Sequence, residues 1–480
     1  MEMKKTLLFL MLFAGTMQST AALRFAGIFG DNMVLQQQSQ VRLWGYGDTA
    51  QPVEVEVSWN PRHYTATVDT DGRWSLAIPT PKASYTPQQI TLIGENTRPI
   101  RLDNILIGEV WLCSGQSNME MIMQPDSTWR LFVERAEEEI ARADCPHIRH
   151  ITIARNESFE PTEDLADGQW QACTPQSVRW LSAAGYYFAR QLQAELDVPV
   201  GLIIDSYGGS PLQSWLPEAI INDPFYTREQ TRLGQCRESG AAKPEYDMAS
   251  ALYNGMLHPV IGYTIRGFLW YQGCSNVSDA ARYPKMMGDL VESWREAWHD
   301  RQLPFYFVQI APFVYPDHQL GRWAELAWSQ TLAAQAINRS GMVITADIGN
   351  PQNIHPGRKR PVGERLARLA LSYTYGRPIE AQSPEVTRIH RNGMKLLIDL
   401  QHAGSELHAT DRESEFEVSP DGVLFSRADF KIDGQHIELL APFEGVRYVR
   451  YCWRDNARSN IFNTEQLPLG PFFTEIHETE

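Results

Sequence analysis

The sequence contains no CxxC pair, no internal repeat and no low-complexity run. The first absence excludes the common zinc and thioredoxin-like motifs; the others exclude a solenoid and an extended disordered chain. The six cysteines (Cys113, Cys145, Cys173, Cys236, Cys274 and Cys452) match no zinc spacing. A core this large needs no disulfide staples, so most are expected as free, buried thiols. Positive charge is scarce as well: 43 Lys and Arg stand against 58 Asp and Glu, a formal net charge of −15. Such a surface repels phosphate backbones, so no nucleic-acid partner is expected. Beyond the N-terminus no stretch is apolar enough to cross a membrane, so the mature protein should have no membrane span.

What is present begins with an export signal. Lys4-Lys5 precede an apolar stretch from Thr6 to Met17, and Ser19-Thr20-Ala21-Ala22 supplies small residues for cleavage. Residues 1–22 thus read as a signal peptide, and the protein as secreted, into a periplasm if the cell is Gram-negative. The 480 residues, 43% of them hydrophobic and 21% charged, suffice for two or three domains. The 14 Trp suit core packing first and sugar stacking second.

Three regions follow. Residues 23–103 form an N-terminal β domain: Val53–Val57 alternates apolar and polar, and Asp69-Thr70-Asp71-Gly72 is a turn leading into Arg73–Ile78. Residues 104–378 alternate strands and helices. Ile105–Leu112, Val200–Ile204, Gly267–Tyr271, Phe305–Ile310 and Met342–Thr345 are apolar on both faces, as central parallel strands are. Phe188, Leu192 and Leu196, then Met287, Leu290, Val291, Trp294 and Trp298, then Val362, Leu366, Leu369 and Ala370, follow helical spacing. The pattern predicts a three-layer α/β/α domain with a parallel sheet, whose ligands bind beyond the carboxyl ends of the strands. Residues 379–480 return to β, with strand-like Met394–Ile398, His436–Leu440 and Val446–Tyr451.

Four polar motifs sit at strand ends. Gly115-Gln116-Ser117-Asn118-Met119 follows the first sheet strand, where a glycine lets the chain turn sharply and expose a hydroxyl beside backbone N–H groups. Taken alone, Ser117 is equally a helix cap. Asp205-Ser206-Tyr207-Gly208-Gly209-Ser210 offers the Gly209 N–H as an oxyanion donor, or is an ordinary tight turn. Trp270-Tyr271-Gln272-Gly273-Cys274-Ser275-Asn276 offers the Gln272 or Asn276 amide. Asn353-Ile354-His355-Pro356 lies eight residues after Asp347 and supplies, among 12 His, the one placed to be the base that a serine hydroxyl needs.

Together, in this order, the four motifs resemble those of the sialate O-acetylesterase family, carbohydrate esterases of SGNH type; Asp31–Gln36 and Trp453–Asn456 resemble further blocks of it. The resemblance implies a secreted serine esterase, a carboxylic ester hydrolase removing O-acetyl groups from sugars, with no metal or cofactor. Ser117 would be the nucleophile and His355 the general base, with an oxyanion hole from the Ser117 and Gly209 N–H groups and the Asn276 or Gln272 amide. The sequence departs from the pattern twice. Cys274 stands where Glu is common, and Gln352 occupies the position, three residues before the His, where the wider SGNH pattern has Asp. Either Asp347 orients His355 or the site is a Ser-His dyad oriented by a carbonyl, and the reading leans to the dyad. O-acetylated sialic acid is the first substrate expected, with acetyl-xylan or another plant polysaccharide as the alternative on the same fold and a non-catalytic carbohydrate-binding protein as the third. A sialate carboxylate calls for a cation such as Arg, and Arg266, Arg358 and Arg360 lie near the motifs.

Overall fold

The computed structural model describes residues 22–95, 97–315, 322–392 and 395–476; the expected signal segment, apart from Ala22, lies outside them. Seven strands form the central sheet: β1 (Ile100–Gly115), β2 (Cys145–Thr152), β3 (Gln171–Cys173), β4 (Val200–Ser206), β5 (Gly267–Tyr271), β6 (Phe305–Val308) and β7 (Ser340–Val343). They lie in the order β3-β2-β4-β1-β5-β6-β7. Strands β2 to β7 run parallel across the sheet apart from the edge strand β3, which is antiparallel to β2. This seven-strand path, part of an eleven-stranded sheet, is therefore parallel but for one short edge strand.

Alternation along each strand feeds two cores. Leu112, Ile203, Trp270 and Phe305 face one; Trp111, Leu202, Tyr271 and Tyr306 face the other. Five helices matter for the site: α1 (Ser117–Glu120), α2 (Ala183–Leu196), α3 (Tyr283–Ala297), α4 (Arg322–Ala336) and α5 (Lys359–Leu369). Helices α3 and α4 bury Leu290, Trp294, Trp323 and Leu326 in the first core. Helices α2 and α5 bury Phe188, Leu192, Val362 and Leu366 in the second. These are the three layers, with β-rich regions added at both ends of the chain. Helix α4 was not among the helices read from spacing, because its Ala-rich sequence carries little apolar contrast around the helix.

The chain leaves β1 for β2, returns through β4 on one side of β1, and then moves to β5 on the other. Connections thus diverge at β1, and the crevice of such a sheet opens at the carboxyl end of that strand, where Ser117 lies.

Strand β1 also belongs to the N-terminal β region. Its first half pairs antiparallel with Ser84–Gly94 and, at Leu106–Gly108, parallel with Val34–Gln36. It runs unbroken past residues 103 and 104, with Asn104 at φ +57°, a conformation that Asn tolerates better than most residues. Where the two regions meet, Glu109 is fully buried and accepts hydrogen bonds from Arg266 (2.7 and 3.1 Å), Tyr375 (2.7 Å), Gln37 (2.7 Å) and Gln36 (3.2 Å). That full set of donors is what makes a buried carboxylate tolerable. The C-terminal region holds two four-stranded antiparallel sheets and touches the α/β layers where Asp455 accepts the Trp323 N–H at the start of α4 (2.9 Å). All six cysteines are free; Cys113, Cys173 and Cys452 are buried and the other three partly exposed.

Asp205, on β4, is the opposite of Glu109. It is fully buried, neither carboxyl oxygen hydrogen-bonds another described residue, and burial pushes its pKa up to about 8. A carboxyl whose folded pKa exceeds its unfolded value binds more protons when folded. Its stabilising share is complete below the unfolded pKa of 3.8 and is lost as pH rises toward and through 8. Asp205→Asn never ionises, so its stability relative to wild type should climb by up to about 1.4 kcal/mol per pH unit between those limits. Thermal melts of both proteins at pH 5 and pH 8 check this: a Tm difference that does not change with pH would contradict it.

Candidate active site

Ser117 is the first residue of α1, immediately beyond the end of β1. The turn depends on Gly115, whose φ is +133° and whose absent Cβ would lie 2.3 Å from the carbonyl oxygen of Tyr271 on β5. Backbone there cannot give way, and only glycine adopts that torsion without strain. The three strand-end loops are laced together. The Gln116 N–H donates to Tyr271 O (3.0 Å), Tyr207 N–H to Gly115 O (3.0 Å), and Gly273 N–H to Gln116 Oε1 (2.9 Å). Ser275 Oγ donates to Gly209 O (2.8 Å).

His355, 238 positions later in the chain, brings Nε2 to 2.8 Å from Ser117 Oγ. Its own N–H donates to Asn353 Oδ1 (3.0 Å), which sets the loop. Burial first, and the charge of Lys359 second, push His355 down to about 4. The imidazole is therefore neutral near pH 7 and able to accept a proton. Both Ser117 and His355 remain partly open to solvent.

Next to this pair, the Gly208 N–H is taken by Glu120 Oε2 (2.9 Å). The N–H groups of Ser117 and Gly209 have no acceptor among the described residues. Gly209 has φ +81° and is exposed. A Cβ at Gly208 would be 3.6 Å from the Ser117 Cβ, so the glycine loop flanks the hydroxyl. Asn276 is fully buried; its Oδ1 accepts from Leu212 N–H (2.9 Å) and Gln272 Nε2 (2.7 Å), and its Nδ2 donates to Gln213 (3.1 Å). Gln272 spends its amide on Ser210 O (3.2 Å) and Asn276, and accepts from Tyr283 (3.0 Å). Asn276 thus keeps one amide hydrogen while Gln272 keeps none, which separates the two as donors.

Asp347 is not brought to His355. Both of its oxygens are bound by the Arg365 guanidinium (2.8 and 2.8 Å), and His355 Nδ1 has no hydrogen-bond partner among the described residues. Of the arginines near the motifs, Arg266 is held by Glu109 and Arg360 by Glu364 (2.7 Å). Arg358 donates to Asp347 O (3.1 Å). Burial pushes the Cys274 thiol up to about 11, so it stays protonated near pH 7.

Four contributors were not singled out from sequence. Asn118 and Lys359 are buried behind the serine and histidine. Glu120 orders the glycine loop and is itself gripped by Arg155 (2.9 and 2.5 Å). Tyr246, 38% exposed, stacks on Tyr207 with centroids 5.0 Å apart and planes 13° apart, while Arg155 lies over the Tyr207 ring at 4.5 Å. The Tyr246 ring lies 3.3 Å from where a Cβ of Gly209 would be. Its loop is pinned by Lys243 to Glu157 (2.6 Å) and Arg232 to Asp247 (2.9 Å). Short motifs anticipate Asn118 and Glu120 by adjacency; nothing local in the sequence signals Tyr246 or Lys359.

Residues 107–372, more than half of the chain, match the family model described as carbohydrate esterase, sialic acid-specific acetylesterase. Among curated relatives, the sialate O-acetylesterase of Mus musculus is 25% identical over 519 aligned residues, covering 94% of each chain. The Homo sapiens enzyme of the same name is 25% identical over 82% of this chain and 80% of its own. Among solved structures, a carbohydrate acetylesterase from Xanthomonas citri superimposes with a TM-score of 0.84 at 28% identity, covering 94% of this chain and 99% of that one. With that family's model matching more than half of its length, this chain belongs to the sialic acid-specific acetylesterase family of carbohydrate esterases and is a carboxylic ester hydrolase.

Proposed function

We propose that the protein is an exported serine esterase that removes acetyl groups from O-acetylated sugars, sialic acids first among them, through a Ser117–His355 dyad. The observation that carries this reading is the 2.8 Å contact between Ser117 Oγ and the neutral His355, beside two backbone N–H groups that have no acceptor among the described residues. Ser117 Oγ attacks the acetyl carbonyl while His355 Nε2 takes its proton. The resulting oxyanion is held by the N–H groups of Ser117 and Gly209 and by the remaining amide hydrogen of Asn276. As the intermediate collapses, His355 returns the proton to the sugar oxygen and the sugar leaves. Water, deprotonated by the same imidazole, then attacks the acetyl-serine; as this second intermediate collapses, His355 returns the proton to Ser117 Oγ, acetate is released and the free hydroxyl is restored.

Export is supported by Lys4-Lys5, the apolar stretch and the small residues after it; no helix among the described residues is long and apolar enough to cross a membrane. The names of the mammalian relatives favour a sialate ester. Arg266 and Arg360, each tied to a carboxylate, favour the second reading, a neutral acetylated sugar such as acetyl-xylan. Acetate release from O-acetylated sialic acid, acetyl-xylan and the acyclic ester triacetin, measured side by side, decides between them. On this reading the Tyr246 ring is the face on which the sugar packs. Tyr246→Ala should then raise KM for the preferred acetylated sugar about tenfold, the worth of one aromatic contact. Triacetin turnover should change little, and an equal loss on both esters would remove Tyr246 from substrate recognition.

A further inference from the structure

Among the described residues nothing acidic orients His355: Asp347 is committed to Arg365 and position 352 is Gln. The base is nevertheless fixed, and the fixing groups lie behind it. Asn118, the residue after the nucleophile, donates from Nδ2 to the carbonyl of Ile354 (3.0 Å). Lys359 donates from Nζ to Asn118 Oδ1 (2.6 Å) and to the carbonyl of Pro356 (2.8 Å). The two carbonyls are those immediately before and after His355. Asn118 and Lys359 are 1% and 0% exposed, so these bonds are shielded from competing water. We infer that Asn118 and Lys359 form a clamp that holds the nucleophile turn and the base loop in register, performing the positioning that a third acidic residue performs in a triad.

The inference rests on the dyad reading above and goes beyond it, because the clamp touches neither substrate nor reacting atoms. Both are therefore positioning residues. The clamp has a cost. A cation behind His355 opposes formation of imidazolium, the reverse of what an aspartate does. Among the described residues, the titratable groups around the pair are His355 itself, Cys274 and Tyr271 from the end of β5, and Tyr315 with Asp455 acting on it. Among the described residues no carboxylate acts on Lys359, and Cys274 is the acidic group coupled to it. Cys274 stands in the loop that directly follows β5. A neutral thiol there leaves the ammonium without a counter-charge, and burial lowers Lys359 to about 7. Even uncharged, the amine keeps two N–H donors, enough for both bonds, so the geometric and the electrostatic effects of Lys359 can be separated by experiment.

The test uses pH profiles of kcat/KM on triacetin for full-length wild type, Ser117→Ala, Lys359→Met, Asn118→Ala and Cys274→Glu. Lys359→Met removes clamp and charge: its plateau should drop at least about tenfold, as misplacing a base does, and its acid limb should move to higher pH. Asn118→Ala breaks the clamp and keeps the charge: the plateau should drop with the acid limb in place. Cys274→Glu keeps the clamp and supplies a counter-charge: the acid limb should move up with the plateau largely kept. Thermal melts of each variant identify any that does not fold, and Asn118→Ala and Cys274→Glu test the two halves separately if Lys359→Met fails. A Lys359→Met or Asn118→Ala plateau within twofold of wild type overturns the clamp. So does a folded Lys359→Met whose acid limb is unmoved, which would mark a structural lysine only. If wild type and Ser117→Ala are equally active or inactive, the dyad reading itself has failed, and the two failures are told apart by that baseline.

Discussion

Replacing Ser117 by Ala should lower kcat/KM for acetyl esters by at least about a thousandfold, because the nucleophile and the base act as a unit and loss of either removes nearly all of their joint effect. What would survive is the donor set: the Gly209 N–H, the Asn276 amide and a Ser117 N–H that alanine retains, which stabilise a carbonyl attacked directly by water. The residual rate should therefore exceed that of the buffer alone. The fold should be unchanged, since among the described residues Ser117 Oγ hydrogen-bonds only His355. A fluorophosphonate probe should label wild type and leave Ser117→Ala unlabelled. A loss of less than tenfold, or labelling that persists in the variant, would move the nucleophile to another residue.

Gly115→Ala should fail at an earlier step. The added methyl would meet Tyr271 O at 2.3 Å, Tyr271 C at 2.7 Å and Tyr271 N at 2.9 Å, all backbone atoms of the neighbouring strand. The torsion of +133° is also one an L side chain rarely adopts. Strain and overpacking together should cost about 3 kcal/mol or more, enough to consume much of the stability of an ordinary domain. Any relief must come from separating β1 from β5, which moves Ser117 away from Gln272, Gly273 and Asn276 together. A fall in the denaturation midpoint accompanied by loss of esterase activity is the expected outcome. A variant within about 0.5 kcal/mol of wild type, the range of unremarkable surface changes, would mean that the turn is not built on this glycine.

The legible parts of the molecule were those written in local pattern. Runs such as Gly267–Tyr271, apolar on both faces, mark central strands because both faces are covered, and that strand spans those very residues. Motifs at strand ends were readable because a parallel sheet directs every such end to one edge. The parts that escaped depend on contacts distant in sequence. Lys359 opens a segment, Lys-Arg-Pro-Val-Gly-Glu-Arg, that reads as the solvated start of a helix; only the meeting with Asn118, 241 positions earlier, buries it. Asp347 offers a carboxylate at a plausible distance along the chain, and nothing local tells that Arg365, nearly two turns into α5, takes both oxygens. Asp103-Asn104 interrupts an apolar pattern and so reads as a boundary, although the backbone passes through it as strand.

That last feature bears on how the protein can be dissected. An appended module is ordinarily joined by a linker that can be cut or exchanged. Here the join is a strand whose hydrogen bonds serve both regions, with Glu109 and its four partners seated at the crossing. Removing the N-terminal region would strip Val34–Gln36 and Ser84–Gly94 from β1 and expose a sheet edge within the enzyme's own scaffold, an invitation to pairing with other chains. The N-terminal β region is thus no interchangeable cassette; it is part of the beam that carries Ser117.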